Sequence, residues 1–526
     1  MNTPTSTVQP FVCGIALLLM PTLCFALASL QIACGSYVSW IPAAVSLVCG
    51  LFYAYYAAGL RTALLTLLIV LACGTLCLFT FDSAFDSLSY HKPGAAALTG
   101  TWNPVTDFFN GVTRNRSVPY WINYYARFEE TSAASIAMLT HSFELGRITA
   151  MLVPTSTAFL VYGAILPSCG KRWAIITTAA LMLNPVIAGQ IFTYLNDHYL
   201  YCGFLNFCVI ALMLQDNRLQ SVANLLLAAT ILMMVNTKFT HFFFACIFWI
   251  LLVGYLWCRA RRNIAYKELW IGAVGIITSA IIFGFAPYVV NLLNFGDPFY
   301  PLACGECDIM TANTPEIYLE HNRLWCAIHS LFGGISHPLM IFPTGSNSRM
   351  WAYGPWFLPM LIGSAIILWE TRVSTKVWFC WLAVIFSLLI FRQGWWARYV
   401  PMPWAAVGFA LFVANRSNKT TKVVACAVAS MAIVTGGLHL CGNAWLAVKK
   451  QLWFIELSQQ PSPVSITCHP NTANGIALHL SEMNIPYRMC DSIPCGDAVP
   501  MPMSPLSNQS QTASQSVATF TCTNTH

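Results

Sequence analysis

Charge is what this sequence has least of. Lys, Arg, Asp and Glu together supply 9% of its 526 residues, whereas 57% are hydrophobic. An ordinary soluble domain carries about 25% charged residues, so a soluble chain of this composition would lack the polar surface to cover itself. Nucleotide signatures are also missing: there is no GxxxxGK[ST], and no GxGxxG between a strand and a helix. That argues against transport driven by ATP bound to this chain. No internal repeat is visible, which speaks against a transporter built from repeated halves. No His–Cys cluster with ligand spacing accompanies the 21 cysteines, which disfavours a zinc site. No basic stretch precedes the first apolar run, so CFALAS reads as part of an uncleaved first span rather than a cleavage site.

What the chain has in abundance is long apolar runs. Its mean hydropathy is +0.62, and runs long enough to cross a hydrocarbon core about 30 Å thick recur along it. We read about thirteen spans: 11–33, 37–60, 62–81, 148–167, 173–192, 200–215, 219–235, 240–258, 269–292, 355–369, 376–391, 399–415 and 423–440. The fold class is an all-α polytopic membrane protein. With the N-terminus in the cytoplasm, the inner connections hold 13 bases and three acids, a net of +10. The other face then carries −3, which accounts for the chain's +7. The positive-inside rule favours this path.

Two outer segments, 82–147 and 293–354, are too long for turns and mix aromatic, polar and charged residues, as helices lying along a membrane surface do. We divide the chain into a transmembrane domain (1–440), a small outer region (441–496) and a disordered tail rich in Ser, Thr, Pro and Asn (497–526). Cysteines within spans read as small buried apolar residues. The outer ones, Cys304 and Cys307, then Cys468, Cys490, Cys495 and Cys522, lie where disulfides are permitted within each group.

The ionisable residues gather on the outer face. Asp82, Asp86, Tyr90, His91 and Lys92 follow the third span, and Glu144 and Arg147 lead into the fourth. Asn196, Asp197 and His198 fall between the fifth and sixth, and Lys238 and His241 between the seventh and eighth. Asp297 opens the second long segment, and Arg392 and Arg398 lie between the eleventh and twelfth spans. Taken singly, each reads as a solvated helix terminus or a snorkelling anchor. Gathered at span ends on one side, they suggest a site, because ionisable groups there are costly unless paired or hydrated. Arg147, Lys238 and Arg398 are the residue types that clamp a phosphate, and Asp86 is of the type that takes a proton from a hydroxyl. Trp395 and Trp396 read as interfacial belt before they read as a sugar platform.

These residues resemble the bacterial members of the glycosyltransferase C superfamily near family 39, which includes the protein O-mannosyltransferases and the lipid A aminoarabinose transferase. Phe85-Asp86 followed by Tyr90, with His91 and Pro93, is similar to the acidic motif of the family's first outer loop. Gly100-Thr101-Trp102-Asn103-Pro104 resembles its Gly-Trp-Asn-Pro run with one residue inserted. Asp197 in YLNDHYL looks like the second family acid, Glu144 and Arg147 like the Glu-x-x-Arg before a span, and Arg398-Tyr399-Val-Pro401 like the late Arg-Tyr-x-x-Pro. The matches run from about 81 to 403. Ser87 stands where family 39 often has a second carboxylate, no Lys-Pro-Pro is visible, and two extra spans precede the first outer loop.

The resemblance implies a glycosyltransferase C-type fold and sugar transfer, with inversion, from a polyprenyl-phosphate donor to an acceptor hydroxyl. It places Asp86 and Asp197 as catalytic residues, Arg147, Lys238 and Arg398 on the donor phosphate, and Asp82, Tyr90, His91, Glu144 and Tyr399 in support. No cofactor is required; the alternative is that the acids hold a divalent metal, as in relatives using diphosphate donors. The expected partners are the donor lipid, the membrane and a glycan, lipid or protein acceptor, with no nucleic acid. The expected setting is a bacterial inner membrane with the site and C-terminus outside. The rival readings are a flippase or transporter of lipid-linked saccharide and a non-catalytic subunit of surface-polysaccharide assembly.

Overall fold

The structure is a computed structural model. It describes the whole chain except residues 1–4, 110–116, 217–218, 260, 303–313, 334–351, 392, 416, 460–462, 468–471, 490–497, 501–520 and 525–526. Arg392, Cys304, Cys307, Cys468, Cys490 and Cys495 therefore lie outside the described residues, and of Cys522 only the backbone is described.

Among the described residues, eight helices are long and apolar enough to cross a membrane, and five shorter apolar helices accompany them. Each of the thirteen spans read from the sequence has a helical counterpart in this set. The reason is local: in lipid, a crossing segment satisfies its own backbone hydrogen bonds, and a helix does so within one run. Glycine marks two of the reversals. Gly59, at φ 81°, separates Ile41–Ala58 from Leu60–Leu78. Gly170, at φ 68° and ψ 163°, breaks Thr149–Met182 beside Lys171 and Arg172, so this stretch holds the fourth span and the first half of the fifth. Such angles strain any residue with a Cβ.

Two spans depart from straight helices, each for a legible reason. The fifth stops at Met182 and restarts as Pro185–Gln190, because Pro185 lacks an N–H and Asn184 caps the new start by accepting from Val186 N. The ninth bends through π-helical turns, Ser279–Phe283 and Phe285–Val290, around Gly284 and Pro287. The last, Lys419–Ser458, runs 40 residues without a break. At 1.5 Å per residue it is about 60 Å long, twice the hydrocarbon thickness, so its C-terminal half extends beyond any bilayer that holds its first half. The hydropathy boundary near 441 thus falls inside an unbroken helix.

The bundle has a centre and a periphery. The first span is 83% buried, whereas the second and third are 28% and 22% buried and present their apolar sides outward. The first outer segment does not simply lie on the surface. Its helix Phe128–Thr140 is buried along Phe128–Ser135, and a run of small residues lets it approach the first spans closely. Ser135 Oγ donates to Ser39 O at 2.7 Å and accepts from Ala43 N at 3.0 Å, and Ser132 O accepts from Cys24 Sγ at 3.7 Å.

After Ser458 comes a small α/β unit. Strand β1 (Val464–Thr467) pairs in parallel with β2 (Tyr487–Met489), the helix Ala473–Glu482 lying between them in sequence. β3 (Ala498–Pro500) and β4 (Thr521–Asn524) complete the order β2-β1-β4-β3, with β4 antiparallel to both neighbours. Short segments of what reads as a tail in the sequence are thus strands. The unit shares one apolar core with the chain that follows the third span: Phe81 and Leu88 are buried together with Phe454, Val464, Ile476 and Leu480.

Candidate active site

Four outer connections converge on one group of charges. Asp86 begins a helical segment after the coil that ends the third span, Asp197 precedes the helix His198–Met213, Lys238 sits in extended backbone between two helices, and Arg398 lies in the turns before Pro401. Lys238 Nζ is 2.5 Å from Asp197 Oδ1, and Gln190 Nε2 donates to Asp197 Oδ2 at 3.1 Å. Arg398 bridges the two acids, its Nη1 3.0 Å from Asp86 Oδ2 and its Nε 3.7 Å from Asp197 Oδ2. Tyr399 accepts from Arg398 Nη2 at 3.3 Å, and the guanidinium lies over the rings of Trp396 at 4.6 Å and Tyr399 at 5.2 Å. Trp396 is therefore buried against the arginine, and Trp395 is buried between Trp396 and Tyr318, rather than facing a bilayer.

The two acids differ in access. The Asp86 side chain is 23% exposed and that of Asp197 is fully buried. Burial alone would push the Asp197 carboxyl up, but Lys238 and Arg398 outweigh it and hold it well below the usual carboxylate range. The same acids, with Tyr399, keep Arg398 charged although it is buried. Burial, followed by the Asp86 charge, pushes the Tyr90 hydroxyl well up, so Tyr90 stays neutral beside the acid. Arg398 occupies the place a cation shared by Asp86 and Asp197 would take, so a divalent ion fits this pair only by displacing it.

Other residues expected here are elsewhere. Arg147 is fully buried with its guanidinium spent on backbone: Nη1 donates to Phe192 O, and Nη2 donates to Cys77 O at 2.6 Å, to Thr80 O, and to Thr80 Oγ1 at 3.0 Å. Cys77 lies in the last turn of Leu60–Leu78, where carbonyls lack helical partners, so the arginine caps the third span. Glu144 Oε2 lies 3.0 Å from Arg147 Nη2, and Glu144 Oε1 is 2.6 Å from Lys92 Nζ and 3.0 Å from His479 Nδ1. Glu482 Oε2 completes this second cluster at 3.6 Å from Lys92. Glu144, His479 and Glu482 bring ligand atoms within 4.8 Å of one another. Lys92 and Arg147 already balance the two carboxylates, so these residues do not fit a divalent ion either.

Asp82 is a loop clamp, accepting from Ala84 N at 2.9 Å and Tyr194 N at 2.6 Å. His91 Nδ1 faces Glu130 Oε1 at 2.6 Å. Sequence reasoning passed over Gln190, Glu129, Glu130, His479 and Glu482. Nothing marks Gln190 in the sequence, but the adjacent Glu129-Glu130 pair in a charge-poor chain was a signal.

Glu129 carries a pH dependence. It accepts from Thr149 Oγ1 at 2.5 Å and from Tyr199 Oη. Burial pushes its carboxyl up from 4.5 to about 8, against the smaller opposing effect of these two hydroxyls. The folded state therefore binds a proton that the unfolded chain has released, and stability falls as pH rises between those values. Glu129→Gln is expected to raise the thermal midpoint by several degrees at pH 8 and leave it unchanged near pH 4.5. Equal shifts at both pH values would refute a carboxyl that stays protonated in the fold.

No family model matches the chain, and no curated protein matches its sequence. Among solved structures it is similar to ArnT from Cupriavidus metallidurans bound to undecaprenyl phosphate, at 14% identity and a TM-score of 0.44, over 81% of this chain and 85% of that one.

Proposed function

We propose that this protein is a membrane glycosyltransferase that moves a sugar from a polyprenyl-phosphate donor to an acceptor hydroxyl at the outer face of a bacterial inner membrane. One observation carries the reading: at the ends of apolar helices, an accessible carboxylate, Asp86, shares Arg398 with a buried ion pair, Asp197 and Lys238. A carboxylate within reach of an acceptor hydroxyl is what a general base requires. Two cations anchored by a buried acid suit a phosphate that gains charge as its ester bond breaks.

In this mechanism Asp86 takes the acceptor hydroxyl proton while the oxygen attacks the anomeric carbon. The bond from that carbon to the phosphate oxygen breaks, and polyprenyl phosphate leaves with both bonding electrons. Attack opposite the leaving group inverts the centre. Lys238 and Arg398 meet the charge that develops on the phosphate. Asp197 holds both cations in place before substrate arrives, so that little reorganisation is needed. Tyr90 and Tyr399 line the Asp86–Arg398 pair. Arg147 is given no donor contact in this reading, because it is fully buried and its Nη1 and Nη2 go to carbonyls, Thr80 Oγ1 and Glu144.

Native mass spectrometry of gently extracted protein tests the reading by asking whether a polyprenyl-phosphate sugar co-purifies. The donor is expected to remain on Asp86→Asn and to bind Arg398→Ala roughly 10- to 100-fold more weakly, the loss of one charge-assisted contact. Absence of any such lipid after incubation with a panel of polyprenyl-phosphate sugars would defeat the donor assignment and favour a lipid-linked saccharide flippase or a non-catalytic assembly subunit.

A further inference from the structure

The segment that carries Asp86 is held from outside the bundle. After Asp86 the backbone widens into a π-helix, Ser87–His91, before Lys92–Leu98 continues as α-helix. Pro93 explains the widening: it has no N–H to offer the preceding turn, and its ring crowds the carbonyl four residues back. A helix that has lost part of its ladder is a poor platform for a reacting group unless something else fixes it.

The C-terminal helix Ala473–Glu482 makes three contacts there. Gly475 lies so close to the π-helix that an added Cβ would stand 2.5 Å from Leu88 O and 2.7 Å from Leu88 Cα. Ile476 and Leu480 bury Leu88 in the shared core. At the end of the helix, Glu482 Oε1 accepts from Phe143 N, and its Oε2 lies 3.6 Å from Lys92 Nζ. One ten-residue helix thus grips the Asp86 segment by its backbone, by an apolar side chain and by an ion pair, all within six residues of Asp86.

We propose that Ala473–Glu482 is a positioning element for the reaction, with Gly475 as its contact point, setting where the Asp86 carboxylate stands relative to Arg398. The inference rests on Asp86 being the base. Gly475 touches no reacting atom; it acts through Leu88, two residues from Asp86. The contact has no room for a methyl group, so Gly475→Ala separates the helix from the π-turn and displaces Asp86, while Lys238 and Asp197 are untouched. Displacement of a reacting group by about 1 Å costs on the order of 100-fold in rate.

The test uses the full chain in lipid nanodiscs with a polyprenyl-phosphate hexose as donor, comparing Gly475→Ala, Leu480→Ala and Asp86→Asn. For Gly475→Ala, kcat is expected to fall about 100-fold with donor KM unchanged. Amide exchange should quicken over 85–98 and not across the spans. Leu480→Ala loosens the grip without a clash and should lower kcat less, with the same local pattern; it carries the test if Gly475→Ala does not fold. If both variants keep parental kcat and exchange while Asp86→Asn is inactive, the positioning role is refuted. Faster exchange spread over the whole protein would also refute it, reducing the helix to a general stabiliser. An active Asp86→Asn would instead overturn the base assignment on which the inference stands, and would refute the role with it.

Discussion

Asp86→Asn is expected to lower turnover roughly 10²- to 10⁴-fold, the usual contribution of a general base, without releasing the donor lipid or unfolding the protein. Folding should survive because Asp86 is the partly exposed member of the site and its one ion-pair partner among the described residues, Arg398, is also held by Asp197. The Asn carbonyl oxygen can still accept from Arg398 Nη1. Asp197→Asn should behave differently: it removes the charge of a fully buried carboxylate, takes from Lys238 the acid it pairs with and leaves Arg398 to Asp86 alone. Single-turnover transfer, thermal unfolding and donor binding, measured on both variants, separate the roles. An Asp86→Asn enzyme within a few-fold of the parent would end the assignment of Asp86 as base, and Asp197 would be the next carboxylate to consider.

Arg147→Ala carries the other large effect, and it falls on stability. The guanidinium is fully buried and ties together the end of the third span, the Phe192 backbone and Glu144. Its loss leaves a buried carboxylate short of a partner and several carbonyls without donors. Breaking a buried pair in this way costs about 3–5 kcal/mol. Lysine should not rescue it, because one ammonium on a flexible stem cannot span carbonyls that a planar fork reaches together. Thermal unfolding in detergent micelles should show a large drop for both Arg147→Ala and Arg147→Lys. If either variant instead unfolds like the parent and loses polyprenyl-phosphate binding, Arg147 is a phosphate ligand after all.

Arg147 and Arg398 show how far residue type carries an argument. Both are arginines beside a span on the same face, and the sequence assigns both to a phosphate. The structure brings Arg398 to Asp86 and Asp197 but turns Arg147 onto the last carbonyls of the third span. Nothing in the local pattern around either residue distinguishes these outcomes. Glu144, expected beside the site, likewise sits between Lys92, Arg147 and His479. His479 and Glu482 lie in a region whose composition marked it only as small and external.

The sequence by itself determined the spans, because a helix in lipid closes its backbone hydrogen bonds within one apolar run, and run length is written locally. It also determined the grouping of the charged connections, since successive crossings alternate sides; the contacts among Asp86, Asp197, Lys238 and Arg398 place these connections at one end of the bundle. Only the tertiary structure decided which charges meet. Asp86 and Arg398 are 312 residues apart in sequence, and an ion pair depends on separations of a few ångströms between side chains delivered by different helices. Only packing decided, too, that a C-terminal glycine rests against the Asp86 segment, since the space it fills belongs to a neighbour the local sequence does not name.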